Sequence, residues 1–165
     1  MEKIKVGVIG TGFIGPAHIE ALRRLGNIEV TALAECSDRL ATAKAKKLGI
    51  EKHYGDYRSL LKDDEIQSVH ICSPNYLHYE MAEAALEAGK HVICEKPLAI
   101  GVPEAKELVE LADKKGLVNA VKFNIRYYPM MRQLRLMVEK GDVGKIFAVH
   151  GSYLQDWLFY QTDYN

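Results

Sequence analysis

The chain has 165 residues, 48% of them hydrophobic and 27% charged, which suffices for one well-buried globular domain and a modest remainder. Twenty-two basic residues balance twenty-two acidic ones, so no excess positive field exists to hold a phosphodiester backbone or an anionic membrane surface, and neither nucleic acid nor membrane is expected as a partner. No apolar run approaches the roughly 20 residues of a membrane span, and the opening MEKIKVGVIG is too short and too interrupted for a signal peptide, so the expectation is a soluble, cytoplasmic protein.

Short apolar runs then alternate with segments of helical periodicity, the order of βαβ units on a parallel sheet. Lys3 to Ile9 reads as a strand, Ile14 to Leu25 as a helix, Glu29 to Ala34 as a strand, and Asp38 to Leu48 as a helix stopped by Gly49. Asp56 to Leu61 reads as a short helix. Strands at Val69 to Cys72 and His91 to Cys94 flank a helix at Tyr79 to Ala88 that Gly89 ends. Pro103 to Lys115 is a helix with proline in its first turn, and Val118 to Val121 a further strand. The predicted fold class is α/β, a doubly wound parallel sheet of the Rossmann type over residues 1–121. Beyond it, Pro129 to Lys140 reads as a helix, followed by the turn KGDVGK and a strand-like segment at Lys145 to Leu154. One strand and one helix do not cover a sheet face, so the 165 residues are expected to be part of a longer protein.

The first strand-to-helix turn is GTGFIG: Gly10, Thr11, Gly12, Phe13, Ile14, Gly15. In the G-x-G-x-x-G spacing, Gly10 permits the tight turn, Gly12 has no Cβ to block a pyrophosphate, and Gly15 lets the helix pack on the strand, while the helix N-terminus offers N–H groups to the anion. Alone the motif is weak. Here it leaves a strand, opens a helix, and is followed 20 positions after Gly15 by Glu35 at the tip of the second strand. A carboxylate there accepts the hydroxyls of an adenosine ribose and repels a 2′-phosphate, and Cys36 and Ser37 supply no cation, Arg39 being the nearest. NAD is therefore favoured over NADP. The bland reading is a structural glycine loop with a surface carboxylate, and the turn by itself also suits an S-adenosylmethionine enzyme.

Two polar turns follow at the same sheet edge. HICSPNYLHYE places Ser73, Pro74 and Asn75 beyond the end of a strand, and HVICEKPLA does the same for Glu95, Lys96 and Pro97. A lysine held at a strand tip by a following proline has a fixed backbone direction, and its ammonium can hydrogen-bond a substrate hydroxyl or carbonyl beside the hydride path. Glu95 is placed to orient that lysine or tune its pKa.

The order GTGFIG, a strand-two acid, CSPNYLH, AGKHVICEKPLA and FNIRYYP resembles the Gfo/Idh/MocA family, the NAD(P)-dependent glucose-fructose oxidoreductase and inositol 2-dehydrogenase group. The resemblance implies that the GTGFIG turn and Glu35 hold the dinucleotide, that Ser73, Pro74, Asn75 and His78 line its ribose and nicotinamide end, that Glu95 and Lys96 belong to the same cofactor-binding set, and that Lys96 is also the catalytic lysine. It places Asn124 and Arg126 near cofactor or substrate, makes Lys96-Pro97 a candidate cis peptide, makes 122–165 the start of a second, antiparallel α+β domain with Lys145 to Leu154 as its first strand, and implies a sugar or polyol substrate and a homo-oligomer at full length. The family's Asp and His, four residues apart in the substrate domain, have no counterpart before the terminal DWLFYQTDYN, and Asp156 and Asp163 lie too early to replace them.

Other residues read more plainly. Cys36, Cys72 and Cys94 are odd in number without CxxC spacing, which suits reduced core thiols. His53, His70, His91 and His150 are dispersed, so no metal site is expected. His18, one turn into the first helix, either approaches the pyrophosphate or packs. Tyr127, Tyr128, Trp157, Phe159 and Tyr160 suit core or interface aromatics more than a sugar platform. The leading function is an NAD(P)-dependent dehydrogenase acting on the CH–OH group of a sugar, cyclitol or related polyol, of which this chain alone holds the cofactor part and is inactive. A non-catalytic dinucleotide-binding module or sensor is the alternative, and a methyltransferase, which has no use for the EKP turn, stands third.

Overall fold

Six parallel strands form one sheet among the described residues, which are 3–154 in the computed structural model of the protein. They are β1 (Ile4–Ile9), β2 (Ile28–Ala34), β3 (Lys52–Tyr54), β4 (Ser68–Ile71), β5 (His91–Glu95) and β6 (Asn119–Lys122), in the order β3-β2-β1-β4-β5-β6. Each neighbouring pair is parallel. The chain winds outward from β1 to β3, then crosses to β4 on the other side of β1 and winds outward again. The expected doubly wound α/β fold is therefore present, with its switch point between β1 and β4.

Helices α1 (Gly15–Arg23), α2 (Asp38–Leu48), α3 (Tyr57–Leu61), α4 (His78–Glu87) and α5 (Val102–Lys115) connect the strands. Because successive strand side chains alternate, the sheet builds two cores. Val6, Val8, Val30 and Leu33 pack with Ile19 and Leu22 of α1 and Ala41 and Ala45 of α2. Ile9, Val69, Ile71, Val92 and Cys94 pack with Leu60 of α3, Met81 and Leu86 of α4, and Leu108 and Ala112 of α5. Fully burying each such aliphatic side chain stabilises by roughly 1.5–3 kcal/mol.

Local chemistry sets the helix starts. Ser37 stands extended before α2 and its hydroxyl accepts from Leu40 N; Asp56 does the same before α3 for Ser59 N. Strand β3 was not expected, since Lys52–Tyr54 has three residues, none of them fully buried, and its pairing with the edge of β2 leaves no hydrophobic period. Cys72 and Cys94 are buried, but Cys36 is exposed at the tip of β2, so the core-thiol reading fails there: the strand has ended and the chain has turned toward α2.

The chain divides into two compact units, Met1–Phe123 and Asn124–Asn165. The second holds a 3₁₀ turn, Asn124–Tyr127, and helix α6, Pro129–Lys140, closed by Gly141 in the left-handed region. The strand expected at Lys145 to Leu154 is absent; the segment is irregular, and no described strand lies alongside to take its N–H and C=O groups. Asp156, Asp163, Trp157, Phe159 and Tyr160 lie outside the described residues. No helix among the described residues is long and apolar enough to cross a membrane.

Candidate functional site

The strand register brings the sequence-predicted groups to one edge. Ile9 stands opposite both Ala34 and Ile71, and Ile71 opposite Cys94, so the residues that follow them, Gly10, Glu35, Cys72 and Glu95, leave the sheet at one level. This is the carboxyl edge, where an open α/β sheet receives ligands.

At the first turn Gly10 has φ +86°, outside the comfortable range of a side chain. A Cβ on Gly15 would stand 2.3 Å from Gly10 O, so helix α1 meets the turn at backbone contact. A Cβ on Gly12 would meet no protein atom within 4 Å. The fold therefore requires glycine at 10 and 15, whereas at 12 only an external group profits from the missing side chain. Phe13 is 97% exposed and takes no part in packing, and Ile14 is half-buried against the α1 core.

Thr11 is fixed on three sides. Its N–H and hydroxyl both donate to Glu35 Oε1, at 2.7 and 2.5 Å, and its carbonyl accepts from Lys44 Nζ at 2.9 Å. Glu35 thus faces the glycine turn with no hydrogen bond to Oε2 among the described residues, and a cation reaches that turn from Lys44 of α2 rather than from the residues directly after Glu35. Gly10, Gly12 and Glu35 line a cavity of about 630 Å³ that Ser73 and Pro74 border on the other side. The buried Ser73 hydroxyl has no hydrogen-bond partner among the described residues. A cradle at Gly12, a carboxylate with a spare oxygen and an unpartnered hydroxyl suit a ligand bearing phosphate and hydroxyl groups.

The remaining walls were not found from the sequence. Tyr57, Arg58, Tyr76, Leu77 and Glu80 also line the cavity. Arg58 pairs with Glu80 and lies 4.6 Å from the Tyr57 ring centroid, while the Tyr57 hydroxyl donates to Glu80 Oε1 at 2.8 Å. Burial, with Glu80 beside it, pushes the Tyr57 phenol up to about 12. Tyr76 is exposed on the 3₁₀ turn Asn75–Leu77. The one available signal was the YR pair opening the short helix after the unseen β3.

Two predicted cofactor-binding residues face inward. His78 is fully buried, with Nδ1 2.6 Å from Pro97 O and Nε2 2.9 Å from Ser73 O; it bridges the backbones of the two polar turns and presents no ring nitrogen to the crevice. Glu95 is buried: Oε1 receives His18 Nε2 at 2.9 Å and pairs with Lys122 Nζ at 3.3 Å, and Oε2 receives the Lys96 backbone N–H at 3.2 Å. Burial pushes its carboxyl up, but the hydrogen bonds from His18 and Lys122 prevail and hold it below the usual carboxylate range. Behind it His18 Nδ1 meets His70 Nδ1 at 2.8 Å. Burial lowers His18, and burial with the neighbouring His18 and Lys122 lowers His70 to about 4. Burial, then Glu95, raises Cys72 and Cys94 to about 12, so both stay thiols. His18 is thus part of this cluster rather than a pyrophosphate ligand.

Lys96 follows at the surface, its side chain exposed and without a hydrogen bond or ion pair among the described residues, and Lys96-Pro97 is cis. Pro74 and Asn75 are exposed at the neighbouring turn. Asn124 and Arg126 belong to the second unit, where Asn124 Nδ2 donates to the Tyr128 hydroxyl at 3.3 Å and Arg126 is exposed.

Comparison with known proteins agrees with this architecture. The chain is 39% identical to levoglucosan dehydrogenase of Pseudarthrobacter phenanthrenivorans, over 95% of this chain and 42% of that protein. It is 35% identical to myo-inositol 2-dehydrogenase of Thermotoga maritima, over 86% of this chain and 42% of that protein. A solved structure of levoglucosan dehydrogenase in complex with NADH and levoglucosan superposes with a TM-score of 0.83 at 37% identity, covering 87% of this chain and 41% of that one. The chain thus spans less than half the length of these relatives. Residues 4–123 match the family model of an oxidoreductase family with an NAD-binding Rossmann fold, and the chain belongs to that family, Gfo/Idh/MocA.

Proposed function

We propose that this chain binds NAD and supplies the cofactor-binding part of a dehydrogenase that acts on the CH–OH group of a sugar, cyclitol or related polyol. The observation that carries the reading is Gly12, a glycine the fold does not need, opening onto the cavity that Glu35 borders. Names borne by relatives, levoglucosan dehydrogenase and inositol 2-dehydrogenase, support the substrate class. In this reading residues 1–121 are the dinucleotide-binding domain and 122–165 begin the substrate domain.

The turn Gly10, Thr11, Gly12, Phe13, Ile14 and Gly15 would hold the pyrophosphate by its backbone N–H groups from Gly12 onward, at the start of α1, while the N–H groups of Gly10 and Thr11 stay on Ala34 O and Glu35 Oε1 and fix the turn. Glu35 would accept the adenosine ribose hydroxyls, which disfavours a 2′-phosphate and so NADP. Arg58 and Tyr76 would flank the adenine. Ser73, Pro74 and Asn75 would line the path to the nicotinamide, the group that supplies or takes up the hydride. Lys96, whose ammonium is uncommitted among the described residues, would hydrogen-bond the reacting oxygen and exchange its proton. Asn124 and Arg126 would approach cofactor or substrate.

The test is a titration of the chain with NADH, NADPH and S-adenosylmethionine, followed by a polyol panel with the longest protein in which this sequence occurs. Preferential NADH binding and polyol-dependent NAD reduction are expected. Preference for S-adenosylmethionine would overturn the reading, and NADH binding without turnover would reassign the protein as a dinucleotide sensor.

A further inference from the structure

The side chains of the buried cluster behind the Lys96 turn, His18, His70, Glu95 and Lys122, do not line the cavity at Gly12, yet four elements converge on that cluster. Strand alternation puts His70 of β4 on the face that α1 covers, where His18 lies, and Glu95 and Lys122 stand opposite each other at the ends of β5 and β6. The hydrogen bonds fix the protons. An ionised Glu95 only accepts, so His18 carries its proton on Nε2; the neutral ring then accepts at Nδ1, and His70 carries its proton on the facing Nδ1. Glu95 in turn receives three donors on two oxygens: His18 and Lys122 on Oε1, the Lys96 backbone N–H on Oε2. The other titratable groups beside the cluster, Cys72 and Cys94, remain neutral.

We propose that His18 and His70 are positioning residues for Lys96: His70 sets the tautomer of His18, His18 and Lys122 hold the Glu95 carboxylate inward, and Glu95 fixes the backbone that presents the Lys96 ammonium at the sheet edge. The functional meaning rests on the role of Lys96 given above. Glu95 then acts beneath the site, not on the cofactor. Its charge matters because an amide in its place has one acceptor oxygen, so Glu95→Gln must release either the His18 contact or the Lys96 N–H.

The experiment is nitrogen NMR on the ¹⁵N-labelled chain without nucleotide, joined to hydrogen exchange. At neutral pH His18 is expected protonated on Nε2 and His70 on Nδ1, both uncharged. In Glu95→Gln the Lys96 amide should exchange about tenfold faster, or the His18 resonances should move to the other tautomer, as one of the contacts is lost. His18→Leu should speed exchange at Lys96 likewise. His18→Gln, which retains an N–H where Nε2 stands, should keep it within about twofold of the unmodified chain, a rescue that simple core filling would not give. Should His18→Leu not fold, Glu95→Gln and His18→Gln decide. A His18 protonated on Nδ1, an imidazolium at either position, or a Lys96 amide and His18 tautomer both unmoved by Glu95→Gln would overturn the proposal. Absence of NADH binding in a chain that shows these tautomers would count against the dinucleotide reading and leave the clamp standing.

Discussion

Acidification should unfold this protein through His70 before its carboxylates titrate. Burial is the main cause that lowers His70 from 6.5 to about 4, with the neighbouring His18 and Lys122 adding to it. Between those values the unfolded chain binds a proton that the folded chain refuses, so stability is full above 6.5, falls as pH drops through the window, and has no more to lose from this group below about 4. At 1.36 kcal/mol per pH unit the full loss is about 3 kcal/mol, of which about 2 kcal/mol has gone by pH 5. His18, lowered for the same reason, acts in the same direction. Urea unfolding near neutral pH and near pH 5 should show the midpoint drop by about 1 M for a slope near 2 kcal/mol/M. His70→Val removes the titrating group while suiting a buried strand, and its midpoint should fall distinctly less. Equal shifts in the two proteins, or a His70 ring that titrates near 6.5 in the folded chain, would refute the reasoning.

Glu35→Ala should weaken NADH binding by about tenfold and narrow the gap between NADH and NADPH, because it removes charge-assisted hydrogen bonds and a like-charge repulsion together; equal affinities in the unmodified chain would sink the assignment. In the longest protein in which this sequence occurs, the proposed role of Lys96 has its ammonium used mainly in the transition state, so Lys96→Ala should slow hydride transfer far more than it weakens NADH binding, and the reverse pattern would make Lys96 a cofactor ligand. Gly15→Ala drives a Cβ to 2.3 Å from Gly10 O and should cost about 1–3 kcal/mol in thermal or urea unfolding, as α1 must retreat from the turn.

Much of this was legible because the information was local or periodic. The GTGFIG turn, Asp38–Leu48 and the capping pattern of the helices depend on residues within a turn of one another, and their structural positions follow the sequence closely. What escaped depended on partners far along the chain. β3 exists because β2 offers an edge to Lys52–Tyr54, which no pattern in three residues announces. Arg58 reaches the cavity wall through Glu80, and His18, His70 and Glu95 meet only once the sheet order is known. The family resemblance put His78 and Glu95 among the cofactor-binding residues, yet neighbouring backbone and side-chain groups engage them from behind. The reverse error occurred at Lys145 to Leu154, where apolar character suggested a strand without a neighbour to pair with.

The central claim is that the opening at Gly12 exists for a dinucleotide. NADH titration of the chain and its Gly12→Val variant, with thermal unfolding of both, tests it most directly. A Cβ at 12 meets no protein atom within 4 Å and the backbone there is not left-handed, so the variant should keep its melting temperature within about 4 °C. Its affinity for NADH should fall by about a hundredfold or more as the side chain occupies the place of the pyrophosphate. A folded variant that binds NADH as well as the unmodified chain, or a folded unmodified chain that binds none, would contradict the account.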